Sequence, residues 1–126
     1  NIAGDGSFHM NLTELATAAA YHVPIVELIL NNEVLGMVRQ WQKLFYDNRF
    51  SQTDVDTTTN FPALAEAFGL KAYTISTADE VEPVLRDALA QTGPVLIDCH
   101  IDRDINVLPM VPAGASVESP ILEMDN

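Results

Sequence analysis

The chain has 126 residues, enough for one domain with a real hydrophobic core. Its 18 acidic residues against 6 basic ones give a net charge of −12, which argues against nucleic-acid or anionic-membrane partners, because phosphate surfaces need clustered Lys and Arg. One cysteine allows no intrachain disulfide, and no apolar run reaches the roughly 18 residues of a membrane-spanning helix, so a reduced, cytoplasmic setting is expected.

Asn1-Ile2-Ala3 reads as the end of a strand cut short, since strands usually run about five or six residues. With no initiator methionine, the sequence is expected to be the carboxyl-terminal part of a longer chain. Residues 7–21, with Leu12, Leu15, Ala16, Ala18, Ala19 and Ala20, predict a small-residue helix that starts at Ser7 or at an Asn11/Glu14 capping box. Ile25 to Leu30 is the nearly continuous apolar run of a buried parallel strand. Residues 34–45 predict an amphipathic helix burying Val34, Leu35, Val38, Trp41, Leu44 and Phe45, with Arg39, Gln40, Gln42 and Lys43 facing elsewhere. Residues 46–60 are polar, with Asp54, Asp56 and Thr57 among them, and read as an exposed loop long enough to cover a site.

Pro62 to Phe68 predicts a short helix stopped by Gly69, and Lys71 to Ser76 a strand. Thr77 with Glu80 predicts a capping box for a helix over 78–91, with Val81, Val84, Leu85, Ala88 and Leu89 as its stripe and Pro83 an awkward early residue. Gly93-Pro94 ends it, and Val95 to His100 is the last strand, with Cys99 as a buried structural thiol. Alternating strands and helices predict an α/β fold, doubly wound on a mainly parallel sheet with helices on both faces. The domain is expected over 1–104, followed by a proline-rich tail over 105–126.

Gly4-Asp5-Gly6 is separated by 24 residues from Asn31-Asn32, and each motif falls at the end of an apolar segment. Either motif alone is an ordinary turn or strand end. Together they place a carboxylate and an amide oxygen where a parallel sheet binds its ligands, beyond the carboxyl ends of the strands. Mg²⁺ takes hard oxygen ligands, needing only one or two from protein side chains when a phosphate supplies others, so Asp5 and Asn32 suit a magnesium-bound diphosphate. His9, His22 and His100 have no metal-ligand spacing, although His9 lies within the turn, and Glu14 and Glu27 are weak catalytic candidates.

Three segments resemble the large catalytic subunit of acetolactate synthase, a thiamine diphosphate (ThDP) enzyme family. They are Gly4 to Asn11, Leu30 to Gln42 with its Asn31-Asn32 and Gly36-Met37-Val38-Arg39-Gln40-Trp41, and Leu108 to Ala115. The resemblance covers essentially the whole chain and corresponds to the diphosphate-binding domain and tail. It implies decarboxylative condensation of pyruvate with a second 2-keto acid, in branched-chain amino-acid biosynthesis. It implies ThDP and Mg²⁺, with Asp5, Asn32 and the Val34 backbone carbonyl as metal ligands. Asp5, Gly6, Ser7, Met10, Asn32, Val34, Leu35, Gly36 and Met37 would surround the cofactor, and Met37, Val38 and Trp41 the substrate.

No catalytic residue is carried over. The glutamate that activates the cofactor belongs to a pyrimidine-binding domain that this sequence lacks, normally supplied by a second catalytic subunit. FAD is expected mainly outside this segment, and a regulatory subunit is a further expected partner. The segment alone should be inactive. The rival readings are another ThDP-dependent carboligase, oxidase or keto-acid decarboxylase, and a non-catalytic interaction domain of the same fold.

Overall fold

A computed structural model describes residues 1–54 and 58–124. The expected positions at Asp56 and Thr57 and the last two residues of the tail lie outside the described residues. Four strands, β1 (Ile2–Gly4), β2 (Val26–Asn31), β3 (Lys71–Ile75) and β4 (Val95–His100), form one parallel sheet in the order β1-β2-β4-β3. The central pair is in register from Val26↔Val95 to Asn31↔His100. Leu28 to Leu30 and Val95 to Ile97 are apolar in succession because both sheet faces are covered. On one face Ile29 and Leu96 pack with Phe8, Leu15, Phe61, Ala65 and Leu70. On the other, Val95, Ile97 and Ile75 pack with Ala88, Val84 and Leu85. Helices on both faces of a parallel sheet are the doubly wound architecture that the alternation of elements implied.

The helices are α1 (Asp5–His9), α2 (Leu15–Ala20), α3 (Gly36–Phe45), α4 (Phe61–Ala67) and α5 (Ala78–Leu89). The single helix expected over 7–21 is instead α1, a 3₁₀ turn at Leu12–Glu14, and α2. Asn11 leaves the helical basin (φ −133°, ψ 15°), as a residue of low helix propensity does readily. Neither expected cap forms. Ser7 is the third residue of α1, Asn11 makes no side-chain cap, and Glu14 accepts the Thr17 hydroxyl at 3.2 Å. Asn60 caps α4 through Ala63 N–H at 2.9 Å, with Pro62 in the first turn. The Thr77/Glu80 capping box is present, and α5 runs through Pro83.

The burial of α3 reverses expectation. Gln40 is its buried residue at 2% exposure, whereas Met37, Val38, Trp41 and Phe45 are 40–51% exposed. Burial of Gln40 is tolerated because its amide is satisfied: Nε2 donates to Val107 O at 3.0 Å and Oε1 accepts Val107 N–H at 2.8 Å. The helix starts at Gly36 rather than Val34 because Val34 pairs with Asp54 and Leu35 N–H donates to Thr53 O at 2.7 Å. Beyond β4 the chain packs on α3, and Met110 and Ile121 exchange two backbone hydrogen bonds. Among the described residues no helix is long and apolar enough to cross a membrane.

Candidate cofactor site

All four strands are parallel, so the carboxyl ends of β1, β2 and β4 lie on one edge of the domain. A cavity of about 480 Å³ opens there. From the end of β1 and the start of α1 come Gly4, Asp5, Gly6 and Ser7; from β2, the turn after it and the start of α3 come Leu30, Asn32, Val34, Leu35, Gly36, Met37 and Val38. The two motifs therefore meet. Their convergence follows from the register, which pairs Gly4 with Leu30 directly before both turns.

Asp5 is 3% exposed and forms no ion pair with Lys or Arg among the described residues. Burial pushes its carboxyl above the usual carboxylate range, opposed by the backbone N–H groups of Asp5, Gly6 and Asn32 and by the charge of His9. A buried carboxylate faced by N–H groups and paired with no Lys or Arg among the described residues is suited to a metal ion, whose charge offsets the desolvation. His9 supports the turn from behind. Its Nδ1 donates to Asp5 O at 2.9 Å, since a carbonyl only accepts, and its Nε2 lies 3.1 Å from the Thr59 hydroxyl.

The turn after β2 separates the roles of the two asparagines. Asn31 is buried, and its Nδ2 donates to Asp98 Oδ1 at 3.0 Å. Asn32 lines the cavity, and its Oδ1 accepts Val34 N–H at 3.2 Å. Glu33 between them has φ +60°, a conformation that costs a non-glycine residue about 1–2 kcal/mol. A Cβ on Gly36 would stand 3.1 Å from Asn32 Nδ2, so glycine there leaves the amide room. Among the described residues no three His, Cys, Asp or Glu side chains cluster as metal ligands. The donor set on offer is therefore one carboxylate, one amide oxygen and backbone carbonyls, hard oxygens that fit Mg²⁺ holding a diphosphate.

Not every expected residue lies here. Met10 is 76% exposed and lines a separate hollow with Asn1, Asn11 and Glu14. Trp41 stands one turn beyond Met37, outside the cavity lining, edge-to-face on Phe45 at 5.8 Å. Sequence reasoning missed Ile101, Asp102, Ile105 and Val107, which close the cavity from the chain after β4. Their signal was topological: they follow the strand beside β2, at the edge where ligands bind. A second, polar cavity of about 360 Å³ lies on the other side of Asp5, among Asn31, Glu33, Asp98 and His100.

Several proteins are similar to this chain. The acetolactate synthase large subunit of Porphyra purpurea is 47% identical over 116 residues, 91% of this chain and 20% of that protein. The acetolactate synthase isozyme 2 large subunit of Escherichia coli (strain K12) is 45% identical over 122 residues, 97% of this chain and 22% of that protein. The chain thus spans about a fifth of the length of these relatives. Among solved structures, a thiamine diphosphate-dependent 4-hydroxybenzoylformate decarboxylase of Rhodococcus jostii RHA1 superposes with a TM-score of 0.72 at 33% identity, over 81% of this chain and 20% of that one. The model of the thiamine pyrophosphate enzyme C-terminal TPP-binding domain matches residues 1–99, across β1 to β4 and both motifs, and the chain belongs to that family.

Proposed function

We propose that this chain is the diphosphate- and Mg²⁺-binding part of a ThDP-dependent acetolactate synthase, which decarboxylates pyruvate and condenses the product with a second 2-keto acid. The observation that carries this reading is the convergence of Asp5, Asn32 and Val34 on one cavity at the carboxyl ends of β1 and β2. Asp5, Asn32 and the Val34 carbonyl would hold the metal, and the Gly6 and Ser7 N–H groups the diphosphate. Bound there, ThDP supplies a nucleophilic carbon and an electron sink. Met37 and Leu35 would orient the cofactor, while Ile101, Ile105 and Val107 keep water from one side of it. Met37, Val38 and Trp41 would meet the 2-keto acid.

The activating acid would come from other domains and a second catalytic subunit, with a regulatory subunit as a further partner and the cytoplasm as the setting. The similarity to acetolactate synthase large subunits across nine-tenths of the chain supports this choice among ThDP enzymes. The test is to supply pyruvate, ThDP and Mg²⁺ to the full protein that carries this sequence. Acetolactate is the expected product. Release of CO₂ with an aldehyde instead would make it a decarboxylase, and cofactor binding without turnover would make it a binding module.

A further inference from the structure

Two adjacent residues of α3 make side-chain contacts that reach far along the chain. Gln40 holds both backbone groups of Val107, donating at 3.0 Å and accepting at 2.8 Å, and its Nε2 also lies 3.6 Å from Met110 Sδ. Arg39 donates from Nε to Asp104 Oδ1 at 3.0 Å and has Nη1 3.9 Å from Asp54 Oδ1. Its guanidinium lies 4.0 Å from the centre of the Phe50 ring. Asp54 is also paired with Arg103. Two of the chain's six basic residues thus balance two carboxylates in one network.

The segments so tied are those that shape the cavity. Ile105 and Val107 line it, and Asp54 pairs with Val34. Helix α3 buries a glutamine while its neighbour Trp41 stays exposed, so apolar burial alone does not account for the choice. An amide that reads both the N–H and the C=O of one residue fixes that residue's position as a strand partner does; a leucine there would fill space but leave register free.

We propose that Arg39 and Gln40 are positioning residues for the cofactor. Together they hold residues 104–107 and 50–54 against α3 and so set the wall formed by Ile105 and Val107 beside the cofactor. This rests on the reading of the cavity as the cofactor site.

The experiment uses the full protein with Gln40→Met and, because a buried substitution can impair folding, Arg39→Lys at the rim. Arg39→Lys keeps the charge but loses the flat stack on Phe50 and the Nε bond to Asp104. Hydrogen exchange is followed at Val107 and at Leu96 and Ile97 of β4, and ThDP affinity is measured by calorimetry with saturating Mg²⁺. For Gln40→Met we expect about tenfold faster exchange at Val107, unchanged exchange in β4, and about tenfold weaker ThDP binding, the scale of one buried hydrogen-bond contact. Arg39→Lys should weaken ThDP binding in the same direction by a smaller factor. Unchanged exchange at Val107, or a loosened segment with unchanged affinity in both variants, overturns the positioning role. Failure of the unaltered protein to bind ThDP with Mg²⁺ overturns the cofactor reading itself, and the positioning role with it.

Discussion

Asn31 and Asp98 meet across β2 and β4, Nδ2 to Oδ1 at 3.0 Å, with both residues more than nine-tenths buried. The other Asp98 oxygen lies 3.4 Å from His100 Nε2. The first asparagine of the pair therefore anchors the sheet edge, and the second faces the cavity. In the turn that follows, Asn31 Oδ1 accepts Glu33 N–H and Asn32 Oδ1 accepts Val34 N–H, with Glu33 at positive φ.

Asn31→Leu should lower stability by about 1–3 kcal/mol in urea unfolding, because it strips one hydrogen-bond partner from a buried carboxylate. Asn31→Asp should cost more at neutral pH, since two carboxylates would then face each other. The paired acids would titrate upward in the folded state, so part of the loss should return as pH falls. Equal stability of Asn31→Asp and the unaltered protein at neutral pH would remove the contact's importance.

Asp5→Asn should abolish Mg²⁺-dependent ThDP binding yet stabilise the ligand-free fold at neutral pH. The sign follows from burial. A carboxyl whose folded pKa is raised favours the folded state while protonated, so ionised Asp5 imposes a cost that is absent in strong acid, grows as pH rises through the titration, and persists above it. Metal affinity should fall in the opposite sense, weakening as acid protonates Asp5. Thermal unfolding and magnesium titration of both proteins at several pH values would show the two trends.

Gly36→Ala should weaken ThDP and Mg²⁺ binding while changing stability by less than about 1 kcal/mol. Alanine suits the first turn of α3, but its Cβ would stand 3.1 Å from Asn32 Nδ2 and push the amide. Calorimetric titration would reveal the separation, and unchanged affinity would show that Asn32 yields freely.

Thr77→Ala should cost about 1 kcal/mol by removing the hydroxyl half of the α5 capping box. The N–H groups of Ser76 and Thr77 hold the Glu80 carboxyl below its ordinary range. Its contribution is therefore present above the unfolded pKa and fades as pH falls through the folded one. Urea unfolding at neutral and acidic pH should show the Glu80→Gln penalty shrinking in acid.

Trp41→Leu in the full protein should shift the preference between pyruvate and 2-ketobutyrate as second substrate. Product ratios from mixed substrates measure it, and an unchanged ratio would remove Trp41 from substrate choice.

Local signals in the sequence predicted those parts of the fold that local physics decides. Val95 to Ile97 has the apolar character of a central strand, and Thr77 with Glu80 marked the start of α5. The spacing of Gly4-Asp5-Gly6 and Asn31-Asn32 predicted a shared site, and parallel pairing of β1 with β2 brings the motifs together. Periodicity misread α3 because a helix stripe identifies an apolar face without saying what covers it, and Gln40 finds its partner 67 residues away. The same distance hid Ile105 and Val107: nothing near them in sequence shows that they wall a cavity begun by Gly4.

Strand β1 contributes three residues at the margin of the sheet, and its first, Ile2, is 70% exposed. Its outer row of N–H and C=O groups is open among the described residues, a template to which another strand can add. Against that stands the net charge of −12, which keeps two copies apart in dilute salt. Raising the ionic strength to 1 M shortens the reach of that repulsion to about 3 Å, less than the spacing between paired strands. For this chain in isolation, salt should therefore favour self-association, and dilute buffer the dispersed form.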